Sequence, residues 1–352
     1  MPGTKLGGFV GPYRLGERIG AGAMGAVYEA EHPDGRTVAV KVLHPQCRAN
    51  PYLVQRFRDE GMAGLRVAHP HVVSVLDHGE TDDGLPFLVM PRILGDALGA
   101  RLFRDGALPL HRAVTLVRQI LTGLEALHAA GVVHGDVKTD NILVASGQDG
   151  RDTAVLVDLG LASRWVENGA SPFPLGTMIS GTPEYMAPEL IRGHRPTPAT
   201  DVYAAGIVLY ELITGATPFM AATTPEILRR QLGDDVTPPS LRVVDTAIPL
   251  ILDRIVMQAL EKQPARRFAS AAAFAAALEL ALPLLDRHEH RGASRSSRWW
   301  HDASTQDGRG PADALEAART RVFGAGAPDP LSICDTIIAI SWHPVTLASL
   351  AS

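Results

Sequence analysis

The chain has 352 residues, of which 46% are hydrophobic and 20% are charged. This composition is typical of a globular protein, and the length allows a large core in two domains or in one domain with two lobes. The net charge is −5 and the isoelectric point lies near 6.2. Because no basic block interrupts this acidic background, we do not expect nucleic acid as a partner.

The cysteines and the apolar segments indicate where in the cell the protein is expected. Cys47 and Cys334 lie far apart and have no metal-ligand spacing, so we interpret them as reduced thiols rather than as a disulfide. The N-terminus lacks the apolar core of a signal peptide, and no run of about 18 apolar residues occurs. The nearest approach to such a run, 337–351, is short and is interrupted by Ser341, His343 and Pro344. We therefore expect a soluble, cytoplasmic protein with no membrane span.

Three strands and two turns are predicted near the N-terminus. Alternating segments at 13–19, 26–30 and 37–42 are separated by Gly20-Ala-Gly-Ala-Met-Gly25 and by a turn at His32–Gly35, which predicts an antiparallel meander. The glycine spacing alone is a weak signal, and a strand follows it where a dinucleotide site needs a helix. The glycines would let the backbone approach phosphates. Lys41 on the third strand would reach the same phosphates, or is an ordinary solvated lysine.

A helix is predicted from Pro51 to about Arg66, with Asn50 as its N-cap. Glu60 lies on or beside the apolar stripe of this helix, where a glutamate is informative only if it has a partner. Strands at 72–77 and 86–91 follow and complete a lobe of five strands and one helix. Beyond Gly95 the pattern is mainly helical, with helices predicted over 110–130, 199–214, 248–261 and 270–285. Short strands at 142–144 and 154–157 place the polar segment His134–Asn141 and Asp158 on loops.

The two ends of the chain differ in character from the middle. We interpret residues 1–12 as an N-terminal extension and residues 286–352, which are rich in Arg, Ser, His, Gly and Asp, as a disordered tail. His288, His290 and His301 could form a metal cluster. No cysteine or carboxylate framework accompanies them, so a solvated tail is the better interpretation.

The segment from Tyr13 to Leu282 resembles the eukaryotic-type protein kinases, and among them the bacterial serine/threonine kinases. Any one motif could arise by chance, but the ordered set is specific. The motifs are Gly20-x-Gly22-x-x-Gly25-x-Val27, Val38-Ala-Val-Lys41, Glu60, His134-x-Asp136-x-Lys138-x-x-Asn141, Asp158-x-Gly160, Ala187-Pro-Glu189, Asp201 and Arg267. The resemblance implies an α+β, two-lobed fold within 13–285. A five-stranded antiparallel N-lobe with one main helix (about 13–93) would precede a larger, mainly helical C-lobe (about 94–285).

The resemblance also implies a phosphate and metal site. ATP would bind with Mg²⁺, for which Mn²⁺ is an alternative, because phosphoryl transfer needs positioning and charge neutralisation more than covalent help. Lys41, held by an ion pair with Glu60, would contact the α- and β-phosphates. Asn141 and Asp158 would hold the metal with oxygen ligands.

The resemblance assigns the catalytic step to a second group of residues. Asp136 would orient the substrate hydroxyl and accept its proton, and Lys138 would offset charge on the transferred group. Thr182 would contact this pair, which is the serine/threonine-specific pattern. Two structural supports are also implied, an ion pair between Glu189 and Arg267 and a brace from Asp201 beneath the catalytic loop.

Adenine is expected between the lobes, with Met90 at the back of the pocket and Pro91–Ile93 as the hinge. Pro91 lacks an N–H, but the family uses the carbonyl of this first hinge residue and the N–H of the third, here Ile93. The residues expected to line the nucleotide site are Ile19, Gly20, Ala21, Gly22, Gly25, Val27, Ala39, Lys41, Met90, Pro91, Ile93 and Leu143.

Four positions depart from the family pattern. Gly135 replaces an arginine that normally pairs with a phosphorylated residue of the activation segment, so we hypothesise that activity does not depend strongly on such phosphorylation. The candidate autophosphorylation sites are Thr177, Ser180 and Ser171. Leu159 for phenylalanine and Thr139 for proline are read as minor changes. Gly64, where many kinases have an apolar residue, predicts a loosely docked Glu60 helix.

Two other functions compete with a protein kinase. A pseudokinase would bind nucleotide or a partner without transfer, but such proteins typically lose the lysine, the catalytic aspartate or the metal aspartate, and all three are present here. A small-molecule kinase is disfavoured by Gly181-Thr-Pro-Glu-Tyr-Met-Ala-Pro-Glu189, a segment that docks polypeptide in the family. The expected partners are therefore ATP and proteins that present Ser or Thr. Signals would come from partner proteins or through transcription, because the tail shows neither a membrane span nor a sensor.

Overall fold

The structure is a computed structural model that describes residues 8–22, 24–147, 150–159, 163–164, 182–243 and 247–285. All of them belong to one unit of the chain, Met1–His290. The tail from 286 onward, including its three histidines, and the candidate phosphorylation sites lie outside these ranges.

The N-lobe is an antiparallel sheet of six strands in the order β1-β2-β3-β4-β6-β5. Its strands are β1 (Phe9–Val10), β2 (Tyr13–Ala21), β3 (Gly25–Glu31), β4 (Thr37–Leu43), β5 (Asp77–Glu80) and β6 (Pro86–Pro91). The sheet has one strand more than predicted, because residues Phe9 and Val10 of the expected extension pair with Arg14 and Tyr13. Val10 is 2% exposed and joins the sheet core, which explains why this short strand forms.

The fourth strand in sequence of the five predicted is displaced. It was expected at 72–77, but β5 begins only at Asp77. The apolar residues that suggested a strand are buried all the same: Val73 donates its N–H to the Leu156 carbonyl (2.8 Å) and Val75 to the Gly64 carbonyl (3.2 Å). These residues satisfy their backbone through neighbouring segments rather than through a sheet.

Helix α1 (Pro51–Arg66) has the predicted bounds. The Asn50 side chain accepts a hydrogen bond from the Tyr52 N–H, and Pro51 occupies the first helical position, as the capping pattern indicated. The helix packs on β6 and carries the buried residues Phe57 and Glu60 toward the sheet.

The C-lobe is built around helix α5 (Pro198–Thr214), of which 13 residues among 17 are buried. A helix that is apolar nearly all round belongs in the centre of a domain. The other helices of the C-lobe are α2 (Leu98–Asp105), α3 (Leu110–Ala129), α4 (Pro188–Ile191), α6 (Thr224–Gly233), α7 (Pro239–Arg242), α8 (Leu250–Ala259) and α9 (271–285). Of these, α3, α7 and α8 pack on α5. Gly206 of α5 allows α8 to approach closely, since a Cβ there would lie 2.8 Å from Ala259 Cβ.

Short strands position the loops that face the N-lobe. They are β7 (Asp96–Ala97), β8 (Val132–Val133), β9 (Ile142–Ser146), β10 (Asp152–Leu156) and β11 (Ser163–Arg164). β9 pairs with β7 and β10, while β8 pairs with β11. The segment His134–Asn141 therefore lies between β8 and β9, and Asp158 follows β10, as predicted.

One segment among the described residues, Pro264–Leu285, has the length and apolar composition of a membrane-crossing helix. A single such helix is weak evidence. Residues Ala271, Phe274, Leu278 and Ala281 are fully buried at intervals of three or four and belong to the C-lobe core. This spacing is typical of an amphipathic helix that covers a globular domain.

Candidate active site

Lys41 lies at the centre of a buried ionic cluster between the lobes. Its Nζ donates to both carboxylate oxygens of Glu60, at 2.7 and 2.8 Å, and to Asp158 Oδ1 at 2.7 Å. The exposed fractions of Lys41 and Glu60 are 7% and 4%. Burial alone would lower the pKa of Lys41, but the two adjacent carboxylates outweigh it and hold the pKa above its usual value. The ammonium is therefore charged at every physiological pH.

The helix that carries Glu60 is closely docked, in contrast to the loose docking expected from Gly64. Gly64 is buried against Val75, and a Cβ at this position would lie 2.5 Å from Val75 Cγ2. At Gly61 a Cβ would lie 2.5 Å from Leu88 Cδ2. Valine and leucine from outside the helix fill the space that a larger helix residue would occupy, so the two glycines bring α1 against the sheet.

Replacement of Gly64 by alanine is expected to lower the free energy of unfolding by about 1–3 kcal/mol, because the added methyl overpacks against a stiff β-branched residue. Gly233→Ala is the matched control, since Gly233 is also helical and its Cβ would meet nothing within 4 Å. Thermal unfolding of both variants measures the effect. Equal melting temperatures for the two variants would show that α1 has room at Gly64.

Asp158 has an unusual backbone. Its φ is +60°, and among the described residues it is the one non-glycine with a positive φ. Such a conformation persists only when its surroundings impose it, and it is common at functional sites. The next residue, Leu159, is 2% exposed and packs in the C-lobe core, so the exchange of phenylalanine for leucine leaves this anchor in place.

The segment between β8 and β9 brings four predicted residues together. Lys138 Nζ donates to Asp136 Oδ2 at 2.9 Å and to Thr182 Oγ1 at 2.8 Å. The Asn141 amide nitrogen donates to the Asp136 carbonyl at 2.9 Å and to Asp136 Oδ2 at 3.0 Å. These contacts fix the carboxylate and direct the amide oxygen of Asn141 to the opposite side. The aspartate, lysine and threonine thus form one hydrogen-bonded group.

Asp201 holds this loop from below, as predicted. Its carboxylate accepts from the backbone N–H groups of His134 and Gly135, both at 2.9 Å, and lies 2.8 Å from His128 Nε2. Asp201 is 1% exposed and sits in the first turn of the buried helix α5. The catalytic loop is therefore anchored to the centre of the C-lobe.

The backbone at Gly135 favours glycine. Its φ is +77°, in the left-handed region that costs other residues conformational energy. Its N–H is at the same time bound to Asp201. The hypothesis that activity does not depend strongly on phosphorylation stays a prediction, because Ser171, Thr177 and Ser180 lie outside the described residues.

The glycine turn closes over the end of the sheet. The Gly22 N–H donates to the Gly25 carbonyl at 2.8 Å, and a ring nitrogen of His44 lies 3.1 Å from the Gly22 carbonyl oxygen. A Cβ at Gly25 would lie 2.4 Å from the Val42 carbonyl oxygen, so only glycine fits there. The turn is held against β4, the strand that carries Lys41.

Most of the residues predicted for the adenine pocket lie on neighbouring strands of the N-lobe sheet. Val27 pairs with Lys41, and Ala39 pairs with Met90. Ile19, Gly20 and Ala21 end β2, Gly22 follows them, Gly25 begins β3, Pro91 ends β6, Ile93 follows it, and Leu143 is on β9. Their contacts with a nucleotide stay predictions.

The donor set fits a hard divalent cation. Asn141 offers an amide oxygen, and the Asp158 side chain is 45% exposed even though its Lys41 partner is buried. Within the part of the chain that the structure describes, no group of three or more His, Cys, Asp or Glu could hold a metal. A divalent cation at such a sparse site would be held by one or two protein oxygens together with phosphate oxygens and water.

Glu189 and Arg267 form the predicted structural pair. Two parallel hydrogen bonds of 2.7 Å join Nη1 to Oε1 and Nη2 to Oε2, and both residues are 4–5% exposed. Arg267 also donates to the carbonyls of Ala199 and Glu261 at 2.7 Å. The pair ties the segment after Thr182 to the lower part of the C-lobe.

Residues 13–277 match the model of the family described as protein kinase domain. The chain belongs to the protein kinase family. Members of this family use ATP and a divalent cation, in agreement with the charge distribution of the site.

Similar proteins extend beyond the region matched here. The kinase domain resembles serine/threonine-protein kinase pkn3 of Myxococcus xanthus, with 36% identity over 271 residues that cover 76% of this chain and 49% of that protein. Serine/threonine-protein kinase PknD of Mycobacterium tuberculosis is 36% identical over 349 residues, 99% of this chain and 50% of that protein. The chain thus spans about half the length of these curated relatives.

A solved structure agrees with the fold. The kinase domain of PknI from Mycobacterium tuberculosis superposes with a TM-score of 0.60 at 28% identity, covering 78% of this chain and 98% of that one. The two-lobed fold predicted from the sequence is confirmed.

The sequence interpretation missed one part of the kinase domain's site. Thr139 Oγ1 lies 2.9 Å from the Tyr185 hydroxyl, which donates to Glu211 Oε2 at 2.5 Å. The only sequence signal was the threonine that replaces the family's proline, and it was read as minor. Glu211 is distant in sequence and gave no signal of its own.

Proposed function

We propose that this chain is a serine/threonine protein kinase. It transfers the γ-phosphate of ATP to Ser or Thr hydroxyls of proteins, including its own, with Mg²⁺ as the preferred cation and Mn²⁺ as the alternative. The observation that carries the proposal is the linked contact of Asp136, Lys138 and Thr182 beside the buried Lys41–Glu60–Asp158 cluster. The proposal includes a cytoplasmic location, where ATP is available, and cell fractionation would check it.

The binding half of the reaction depends on the N-lobe. Lys41 presents a permanent positive charge to the α- and β-phosphates, and Glu60 keeps that charge in place through two hydrogen bonds. The cation bound by Asp158 and Asn141 would neutralise phosphate charge. These groups pre-organise the electrostatic environment, so little reorganisation accompanies the reaction.

The transfer half depends on the catalytic loop. The acceptor hydroxyl oxygen forms a bond to the γ-phosphorus as the bond from that phosphorus to the bridging oxygen of ADP breaks. Asp136 orients the hydroxyl and receives its proton, and Lys138 stabilises the charge on the moving phosphoryl group. The contact between Lys138 and Thr182 favours Ser and Thr acceptors, because it is the pattern of that kinase class.

The absence of transfer would instead define a pseudokinase. No observation favours that alternative, since Lys41, Asp136 and Asp158 are all present and each has a charged partner. The segment that contains Thr182 also distinguishes the chain from a small-molecule kinase.

The proposal is tested with radiolabelled ATP and Mg²⁺, using the chain itself and a histone mixture as acceptors. We expect label on both proteins, and a loss on the order of a thousandfold in Asp136→Asn, because the amide does not accept the proton. Circular dichroism confirms that the variant is folded. If the wild type transfers no more label than Asp136→Asn, the chain is a binding module.

A further inference from the structure

A hydrogen-bonded chain of three side chains crosses from the catalytic loop to helix α5. Thr139 directly follows Lys138 and is 3% exposed. Its Oγ1 lies 2.9 Å from the Tyr185 hydroxyl, which in turn lies 2.5 Å from Glu211 Oε2. Glu211 belongs to α5, the same helix that carries Asp201.

The direction of these hydrogen bonds follows from the number of protons. A tyrosine hydroxyl has one proton, and Tyr185 donates it to Glu211. The Tyr185 oxygen can then only accept from Thr139, whose hydroxyl also hydrogen-bonds to the Glu211 carboxylate. Thr139 thus completes the chain as a donor, a role that the proline usual at this position in the family would not fill.

The hydrogen bonds of Thr139, Tyr185 and Glu211 lie next to the Lys138–Thr182 contact, which supports serine/threonine specificity. Lys138 bonds Thr182, and Thr139 bonds Tyr185, so two successive residues of the catalytic loop hold two residues of the segment 182–186. Tyr185 ends a short 3-10 turn, Pro183–Tyr185, that starts directly after Thr182. The second contact therefore limits rotation of this segment about the first.

Further contacts hold the same segment from the other side. Gln231 of α6 donates to the Glu184 carbonyl at 2.6 Å, and its own side-chain oxygen accepts from Tyr203 at 2.5 Å. The segment thus has a fixed backbone on one side and the Thr139–Tyr185 contact on the other. Loss of the Thr139 donor would release only the side that faces the catalytic loop.

We propose that Thr139 is a positioning residue that, through Tyr185 and Glu211, aligns the segment 182–186 and the protein substrate docked on it with Asp136. This inference rests on the proposed kinase activity. It concerns the protein acceptor rather than the nucleotide, because Thr139 bonds Tyr185 of the segment 182–186, whereas Lys41 bonds Glu60 and Asp158.

The test compares Thr139→Val, which keeps the shape and removes the hydroxyl, with Thr139→Ser, which keeps the hydroxyl. In steady-state transfer to histone we expect the valine variant to raise the KM for histone about five- to tenfold, the effect of one lost hydrogen bond. Its KM for ATP should stay within about twofold of the wild-type value, and the serine variant should behave as the wild type.

Thr139→Pro provides a second variant in case valine impairs folding. Thr139 is the first residue of a 3-10 turn and follows an extended Lys138, a position that accepts proline. It should reproduce the raised KM for histone. If the Thr139 side chain acted only by its shape, the valine variant would keep the wild-type KM for histone and the serine variant would not.

The outcomes separate the two proposals. If the wild type does not exceed Asp136→Asn, the proposed function fails and the positioning role falls with it. If the wild type transfers phosphate but valine and serine variants are equal, or the KM values for ATP and histone rise together, only the positioning role is wrong. Tyr185→Phe alone should raise the KM for histone at least as much as Thr139→Val, because it removes the hydrogen bonds to both Thr139 and Glu211.

Discussion

Replacement of Lys41 by methionine should lower phosphoryl transfer at least about a thousandfold, because the charge that orients the α- and β-phosphates is lost. Transfer of radiolabelled phosphate to histone measures this loss. Arg58→Met is the matched control, since it removes a cation of the same lobe from an exposed pair with Glu80. That control should retain wild-type activity. Comparable losses in both variants would show that the buried cluster has no special role.

The same substitution should make stability depend on pH. Burial raises the pKa of Glu60, and without Lys41 only the weaker influence of Arg56 opposes that shift. A carboxyl whose pKa is higher in the folded state stabilises at low pH and loses that contribution as the pH rises through its folded pKa. The melting temperature of Lys41→Met should therefore fall, relative to wild type, from pH 5 toward pH 8. Lys41→Met combined with Glu60→Gln should recover stability without recovering transfer.

Replacement of Arg267 by alanine should cost about 3–5 kcal/mol of stability, because it leaves the buried carboxylate of Glu189 without its partner. For a domain of this size the loss corresponds to a decrease in melting temperature on the order of 10 °C. Differential scanning calorimetry measures it. Arg229→Ala, which breaks an exposed pair with Asp234, is the control and should change stability by less than about 1 kcal/mol. A similar shift in both variants would contradict the assigned role of the buried pair.

Local patterns explain which elements were predictable. The start of helix α1 was predicted correctly because Asn50 and Pro51 are start signals whose effect is local. The strand predicted at 72–77 was misplaced because a run of buried valines looks the same whether its backbone bonds a sheet or, as for Val73, the carbonyl of Leu156. Two-residue strands such as β1 are equally difficult to predict from the sequence, since they form only by pairing with another strand.

In the candidate site, too, some features were predictable and others depend on residues that are distant in sequence. The pairings of Lys41 with Glu60 and of Glu189 with Arg267 followed from the family resemblance, and the structure brings each pair within 2.7 Å. The effect of Gly64 was misjudged because the residue that fills its space, Val75, comes from another segment. Thr139 was undervalued for a similar reason. What a side chain does there depends on Tyr185 and Glu211, which only the fold brings to it.

The close docking of α1 has a consequence for inhibitor selection. Compounds that compete with ATP differ in whether they leave the glutamate helix in place or need it displaced. Here displacement must separate Gly61 from Leu88 and Gly64 from Val75, and must also break the two Lys41–Glu60 hydrogen bonds. A ligand that requires the displaced state gives up binding energy in proportion to that cost. Chemical series that accept the inward helix are therefore expected to bind this kinase more tightly than series that need the helix displaced.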